Sequence, residues 1–193
     1  MMDSVAYNGK NMTTGVTDHG KLAFIDSGNT SIQVPESVFE NLVNELRVKE
    51  RSIGAMKVDD RMIIVAHKPC DKIYDTLGDI SFRLQGTKVE LKPRGYLYPM
   101  SLDMSKCFVG IEKIPNSANQ YRLGTIFLRN FYTALDFDNN LVLMGVNKGS
   151  SAQAKAYIEG EISNPYRSNG VTVSIIVVIL LVAFGFAVVF YFK

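Results

Sequence analysis

The stretch that most constrains the fold is residues 24–31, where an apolar run ends in an aspartate, a serine and a glycine. The apolar residues from Leu22 to Ile25 predict a buried strand that places Asp26 at its end. A carboxylate in that position costs free energy unless it is paired or hydrogen-bonded. Gly28 allows the backbone to turn tightly and to approach the carboxylate. The stretch is therefore either a simple turn that an aspartate initiates or a functional site built around Asp26.

Two longer motifs carry a resemblance to a known family. Residues 25–35 read Ile-Asp-Ser-Gly-Asn-Thr-Ser-Ile-Gln-Val-Pro and resemble the second active-site motif of the pepsin-like aspartic proteases, in the form found in membrane-bound, beta-secretase-type members. Residues 121–136 read Tyr-Arg-Leu-Gly-Thr-Ile-Phe-Leu-Arg-Asn-Phe-Tyr-Thr-Ala-Leu-Asp and resemble the closing motif of that family. The resemblance covers about residues 3–147. It implies a mainly β fold, the carboxyl-terminal lobe of the bilobal acid protease.

The resemblance also implies roles for individual residues. Asp26 would be the catalytic aspartate of this lobe, and the Ser27 hydroxyl would reach across to the other lobe. Gly28 would donate its backbone N–H to the carboxylate, and Leu123 with Gly124 would buttress the loop. In this family two carboxylates share one proton: one draws a proton from water, and the other protonates the developing oxyanion.

The sequence contains no second Asp-Thr-Gly or Asp-Ser-Gly. The other catalytic aspartate belongs to the amino-terminal lobe in this family, so that lobe is an expected partner, together with a peptide or protein substrate. We expect an aspartic-type endopeptidase represented by its carboxyl-terminal half, and we predict that the isolated chain does not cleave peptides. Two alternatives stay open: a non-catalytic, membrane-anchored binding protein with a degenerate lobe, or a homodimeric half-protease.

Four positions around the motifs bear on whether the site is intact. Thr30 matches the family's Asp-Ser-Gly-x-Thr form, whereas Asn29 stands where the family has a serine or threonine that bonds the carboxylate. The Asn29 amide can still donate a hydrogen bond. Arg122 replaces an apolar residue, which is costly unless its guanidinium extends outward. Thr125 replaces an acidic residue. Together these departures permit a degenerate active site.

Periodicity predicts one helix in the chain's first third. Pro35 suits the first turn of a helix, where its missing N–H does no harm. Phe39, Leu42, Val43 and Leu46 then share one apolar face. We expect this helix to pack under the strand that precedes Asp26.

The rest of the domain is predicted to be strands. Asn8-Gly9 between strand-like flanks predicts a hairpin. From Met56 onward, short apolar or alternating runs separated by Gly and Pro turns favour an all-β sandwich or barrel. These runs are residues 61–66, 80–84, 88–92, 95–98 and 107–111.

Composition argues against several other classes of protein. The formal net charge is +2 with acidic and basic residues interspersed, so we expect no nucleic-acid partner. The chain has two cysteines and two histidines without metal-ligand spacing, and it has no Gly-rich phosphate loop. No metal and no cofactor is therefore expected.

The family resemblance implies a disulfide between Cys70 and Cys107, with two buried free thiols as the alternative. Closing a loop of about 38 residues would stabilise the fold by about 4 kcal/mol in the chain-entropy model. The bond requires an oxidising compartment. Asn11-Met12-Thr13 is a glycosylation sequon, and Asn11 could carry a glycan if it faces the lumen; Asn29 also begins a sequon but would lie beside Asp26.

The carboxyl-terminal segment predicts a membrane anchor. Residues 168–192 carry no charge, and about 22 apolar residues at about 1.5 Å each span about 33 Å, enough for a bilayer core. We expect residues 1–147 to form the lobe, 148–169 a juxtamembrane stalk and 170–192 a single transmembrane helix; a lipid-anchor signal is the alternative. The first residues are polar and show no signal peptide. In the full-length protein the lobe is expected to be lumenal or extracellular.

Overall fold

The computed structural model describes residues 1–13, 21–100, 103–115, 120–148 and 150, and the backbone of residues 155–158. All of these lie in the first of two packing units, Met1–Glu159, whereas the second unit, Gly160–Lys193, lies outside the described residues. The predicted transmembrane segment, residues 170–192, therefore lies outside them too. Among the helices of the described part, none is both long and apolar enough to cross a bilayer.

The described residues are mainly β, as predicted. The strands are β1 (Met2–Tyr7), β2 (Lys10–Asn11), β3 (Ala23–Ile25), β4 (Ile32–Val34), β5 (Ile53–Val58), β6 (Arg61–Ala66), β7 (Ile80–Leu84), β8 (Thr87–Leu91), β9 (Tyr98–Met100), β10 (Asp103–Lys113), β11 (Tyr121–Leu123), β12 (Phe131–Asp136), β13 (Leu141–Val146) and β14 (Lys155–Ile158). The α-helices are α1 (Glu36–Lys49) and two single turns, α2 (Pro93–Tyr96) and α3 (Thr125–Leu128), and a 3-10 turn spans Cys70–Lys72.

Two larger sheets and one two-stranded ribbon organise these strands. One sheet has the order β14-β8-β7-β1-β2. The other has the order β3-β11-β4-β10-β6-β5, with β9 also paired to β10. Strands β12 and β13 pair with each other as an antiparallel ribbon. The second sheet matters most for function because it carries the strands on both sides of the Asp26 loop.

The chain's tight turns confirm the hairpin prediction. Asn8 and Gly9 both have positive φ, 48° and 79°, so they connect β1 to β2 with the backbone twist that a two-residue hairpin needs. Gln85 and Gly86 do the same between β7 and β8.

Helix α1 begins after Pro35 and buries the four predicted apolar residues together with Val38. Its predicted packing partner was wrong, because its main contacts are with β5, β10 and β1. Strand β3 lies at one edge of its sheet and β5 at the other, so a helix that packs on β5 and β10 lies away from β3.

Two segments differ from the sequence-based expectation. Gly95 and Tyr96 belong to the helical turn α2 rather than to a strand, because Pro93 presets a helical φ at its first position. In the predicted stalk, β14 pairs in antiparallel register with β8. Strand β8 would otherwise present unpaired backbone groups, and an added strand satisfies them.

One apolar core joins the sheets. Its largest fully buried side chains include Tyr7, Phe82, Tyr96, Tyr121 and Phe127. Phe127 packs edge-on against Phe82 with ring centroids 5.6 Å apart. Phe127 lies in α3, which follows Gly124 directly. Packing of Phe127 in the core therefore fixes the position of the Leu123-Gly124 pair.

Candidate active site

Asp26 lies immediately after the edge strand β3, and its position depends on a distant part of the chain. Strand β3 pairs in parallel with β11, which places Ile25 beside Leu123. The Asp26 N–H donates to the Leu123 carbonyl at 3.2 Å. The predicted strand forms over Ala23–Ile25, but its predicted burial was wrong: Leu22 is 60% exposed and Phe24 is 45% exposed. An edge strand with a single neighbour leaves one flank open to solvent.

The turn after β3 directs backbone donors toward Asp26. The Gly28 N–H donates to Asp26 Oδ1 at 3.2 Å, and the Asn29 N–H donates to the Asp26 carbonyl at 3.2 Å. Asp26 is half-buried, whereas Ser27 and Thr30 are exposed. The loop therefore presents one carboxylate at the surface, held from behind by the backbone.

Gly124 is the closest support of this loop. A Cβ at Gly124 would lie 2.3 Å from the Ser31 carbonyl oxygen and 2.5 Å from the Asn29 carbonyl oxygen. Two hydrogen bonds follow from this approach: Thr125 N–H donates to Asn29 O at 2.8 Å, and Ile126 N–H donates to Thr30 O at 2.9 Å. The Leu123-Gly124 pair therefore contacts the loop directly, in the position that the family resemblance implies.

The Asn29 side chain does not contact the carboxylate in this structure. Its amide Nδ2 donates to the Ser31 carbonyl at 2.9 Å. The amide therefore closes the loop, and no hydrogen bond from Asn29 Nδ2 to the Asp26 carboxylate occurs among the described residues.

A buried polar cluster behind the loop was not anticipated from the sequence. Glu112 in β10 is 1% exposed, and its carboxylate accepts hydrogen bonds from Ser31 Oγ and from Gln33 Nε2, the latter at 3.1 Å. Glu112 follows the apolar run of residues 107–111 and precedes Lys113, so the local sequence gives no signal that its side chain is buried. The cluster therefore connects Ser31, at the carboxyl end of the Asp26 loop, to Glu112 in the central strand β10.

Arg122 lies in β11, next to the loop. It is half-buried and, with Phe24, Ile25, Asp26 and Gln120, lines a depression of about 270 Å³. The cost anticipated for a charge at this position is reduced because the side chain borders an open depression rather than the core.

The other predicted residues lie away from Asp26. Cys70 and Cys107 form the predicted disulfide, with Cα atoms 4.9 Å apart. Asn11 is exposed in β2, and its Oδ1 accepts a hydrogen bond from the Thr13 N–H at 2.8 Å; glycosylation there stays a prediction. Within the described ranges, no group of three or more His, Cys, Asp or Glu side chains could hold a metal ion.

This arrangement can supply one half of an acid–base pair. A single carboxylate can accept a proton from water or donate one to a carbonyl oxygen, but it cannot do both at the same moment. A second carboxylate close to Asp26 would allow the two to share a proton.

Comparisons with known proteins agree with the geometry. The family model described as eukaryotic aspartyl protease matches residues 1–146. Pepsin A of Sus scrofa is 28% identical over 141 residues, which cover 73% of this chain and 33% of that protein. Cathepsin D of Homo sapiens is 30% identical over 124 residues, which cover 62% of this chain and 27% of that protein. A pregnancy-associated glycoprotein of Equus caballus is 26% identical over 144 residues, which cover 73% of this chain and 33% of that protein.

The aligned region therefore spans about a third of the length of the curated relatives it matches. The model match covers most of the chain and includes both the Asp26 loop and the Gly124 support. The chain belongs to the eukaryotic aspartyl protease family.

Proposed function

We propose that the chain is the carboxyl-terminal lobe of a membrane-anchored aspartic endopeptidase and that Asp26 is one of its two catalytic carboxylates. The observation that carries this proposal is the geometry of the Asp26 loop. The Gly28 N–H donates to the Asp26 carboxylate, and Gly124 packs closely against the loop backbone at Asn29 and Ser31. Membership of the protease family supports peptide or protein substrates.

In the proposed reaction, Asp26 and an aspartate of the amino-terminal lobe share one proton. The ionised carboxylate takes a proton from water as the water oxygen attacks the peptide carbonyl carbon. The protonated carboxyl gives its proton to the developing oxyanion. The exposed Ser27 hydroxyl is free to hydrogen-bond across to the partner lobe. The Gly28 N–H stabilises the negative charge when Asp26 is the ionised member.

Exposed apolar side chains support a partner lobe. In the β12–β13 ribbon, Phe137 is 82% exposed and Tyr132 is 68% exposed, and Leu143 is also exposed. Several exposed apolar groups on one ribbon are typical of protein interfaces, because such surface is otherwise costly in water. The sequence holds one Asp-Ser-Gly, so the second carboxylate must come from another lobe or another chain.

The proposed location is a membrane with the lobe on its lumenal or extracellular side. The Cys70–Cys107 disulfide favours an oxidising compartment. The uncharged, apolar residues 170–192 have the length and composition of a single transmembrane helix.

The test begins with the protein in native membranes, captured through an antibody to α1. A mass roughly twice 21.5 kDa or more, with pepstatin-sensitive cleavage of a peptide library at acid pH, supports the proposal. Asp26→Asn introduced at the gene should abolish cleavage, and the exposed Asp60→Asn should leave it unchanged.

Three other outcomes would redirect the assignment. Cleavage that survives Asp26→Asn refutes the role of Asp26. A 21.5 kDa product that crosslinks to itself and cleaves peptides indicates a homodimeric half-protease. A protein that binds peptides at any mass without cleaving them indicates a non-catalytic binding protein, in line with an Asn29 amide that donates to Ser31.

A further inference from the structure

The depression beside Asp26 combines a cation with an apolar wall. Arg122 and Gln120 line it together with Phe24, Ile25 and Asp26. Its volume, about 270 Å³, is below the usual range for a whole drug-sized ligand and suits a single side chain. Whatever enters it lies next to the reacting carboxylate.

The side chains that lie next to Arg122 across the sheet do not neutralise the charge of its guanidinium. Strand register places Phe24 beside Arg122, Arg122 beside Gln33, and Gln33 beside Glu112. The Glu112 carboxylate already accepts from Ser31 and Gln33, so its oxygens are engaged within the cluster.

The Arg122 guanidinium consequently keeps its charge available. No ion pair or hydrogen bond of its side chain occurs with any residue in the described ranges, Asp26 included. A half-buried cation with an apolar wall interacts more strongly with an incoming anion than a fully hydrated one does, because the surrounding dielectric is lower.

We propose that Arg122 is a specificity-determining residue that binds an acidic side chain of the substrate in this depression. The inference rests on the proposed protease function. A guanidinium offers two parallel N–H donors that match both oxygens of a carboxylate, and such charge-assisted pairs are the stronger kind of hydrogen bond. The Phe24 and Ile25 side chains contact the methylene groups of the same substrate residue.

The charge balance of the site favours this substrate class. The catalytic pair carries one negative charge when it shares a proton, so a substrate carboxylate beside it would be repelled in the absence of a cation. Arg122 compensates for that repulsion. A basic substrate side chain would instead meet Arg122 directly, and we expect it to be excluded from this position.

The experiment uses the full-length membrane protein and pairs of peptides that differ only by Glu or Gln at one position, scanned along the peptide. At one position the wild type should favour Glu by about tenfold in kcat/KM, mainly through KM, which corresponds to about 1.4 kcal/mol. Arg122→Gln should remove the preference, and Arg122→Glu should transfer it to Lys. Arg51→Gln, at an exposed turn, should change nothing.

Salt supplies a further readout, because a contribution from charge pairing weakens as ionic strength rises. The preference for Glu over Gln should be smaller at about 500 mM sodium chloride than at about 50 mM, because the Debye length is shorter at the higher salt concentration. No Glu preference at any position, or a preference that Arg122→Gln leaves intact, would overturn the inference.

If no peptide is cleaved, the proposed catalysis fails and the Arg122 inference is judged by binding alone. The probes are fluorescein-labelled peptides with a non-cleavable hydroxyethylene bond and either Glu or Gln at each position. Tighter binding of a Glu probe to the full chain, lost in Arg122→Gln, supports the inference; equal or absent binding of both probes refutes it. Circular dichroism of each variant confirms that the fold is retained.

Discussion

Replacing Gly124 with alanine tests the physical basis of the Asp26 loop. Gly124 has φ −78°, a value open to any residue, so conformational freedom does not explain the glycine. The explanation is contact: its Cβ would lie 2.3 and 2.5 Å from two carbonyl oxygens and 3.0 Å from a carbonyl carbon. All three are backbone atoms, so no side-chain rotation relieves the overlap.

The expected cost can be worked from these contacts. Forcing the two segments apart breaks the hydrogen bonds that Thr125 and Ile126 donate to the loop, at about 1 kcal/mol each. Strain from overpacking adds about 2 kcal/mol. We therefore expect Gly124→Ala to lower the free energy of unfolding by about 4 kcal/mol, a large part of the 5–15 kcal/mol typical of a domain.

The assay is urea unfolding of the full chain in detergent, followed by tyrosine fluorescence because the chain has no tryptophan. Gly145→Ala is the matched control, since the nearest atom to its new Cβ is 4.0 Å away, and it should stay within about 0.5 kcal/mol of wild type. A Gly124→Ala protein within about 1 kcal/mol of wild type would show that the close approach does not hold the loop.

Three further changes probe the supports around the site. Hydrogen bonds from the Ser52 N–H and from Lys68 lower the pKa of Glu50. The contribution of Glu50 to the free energy of unfolding is therefore full above about pH 4.3 and is lost as the pH falls through the lowered pKa. Urea midpoints measured from pH 3 to 7 should show Glu50→Gln differing from wild type only at the upper end of that range. Replacing Cys70 and Cys107 with alanine should lower the free energy of unfolding by about 4 kcal/mol, measured by the same unfolding assay against the oxidised protein. Glu112→Ala leaves two buried donors without their acceptor and should cost about 3 kcal/mol, whereas a cost under 1 kcal/mol would mean that water replaces the carboxylate.

Local patterns predicted the local elements of this fold well. The 3.6-residue period of Phe39, Leu42, Val43 and Leu46 located α1, and Asn8-Gly9 located the first hairpin. In each case the deciding interactions lie within a few residues, so the sequence contains them side by side.

One error was local, at the helical turn that begins with Pro93, and the others concern interactions between distant residues. Leu22 and Phe24 are apolar, yet they are exposed because β3 is an edge strand, and edge position depends on where β11 pairs. Glu112 stands with Lys113 at the charged end of an apolar run, and its burial depends on hydrogen bonds from Ser31 and Gln33. Neither the exposure of β3 nor the burial of Glu112 could be predicted from the local pattern, because in each case the residues that pair with it lie far away in the sequence.

The position of β11 between β3 and β4 has a consequence for synthesis of the protein. Strands β3 and β4 are near neighbours in sequence but lie two strand spacings apart, about 9–10 Å, and cannot close on each other. Their shared partner is translated roughly 90 residues later, which at 5–20 residues per second is a delay of about 5–20 s. A nascent or prematurely ended chain therefore contains Asp26 without the geometry that holds it. The Asp26 loop is therefore among the last features of this lobe to form, and the catalysis proposed for it cannot start before the lobe is nearly complete.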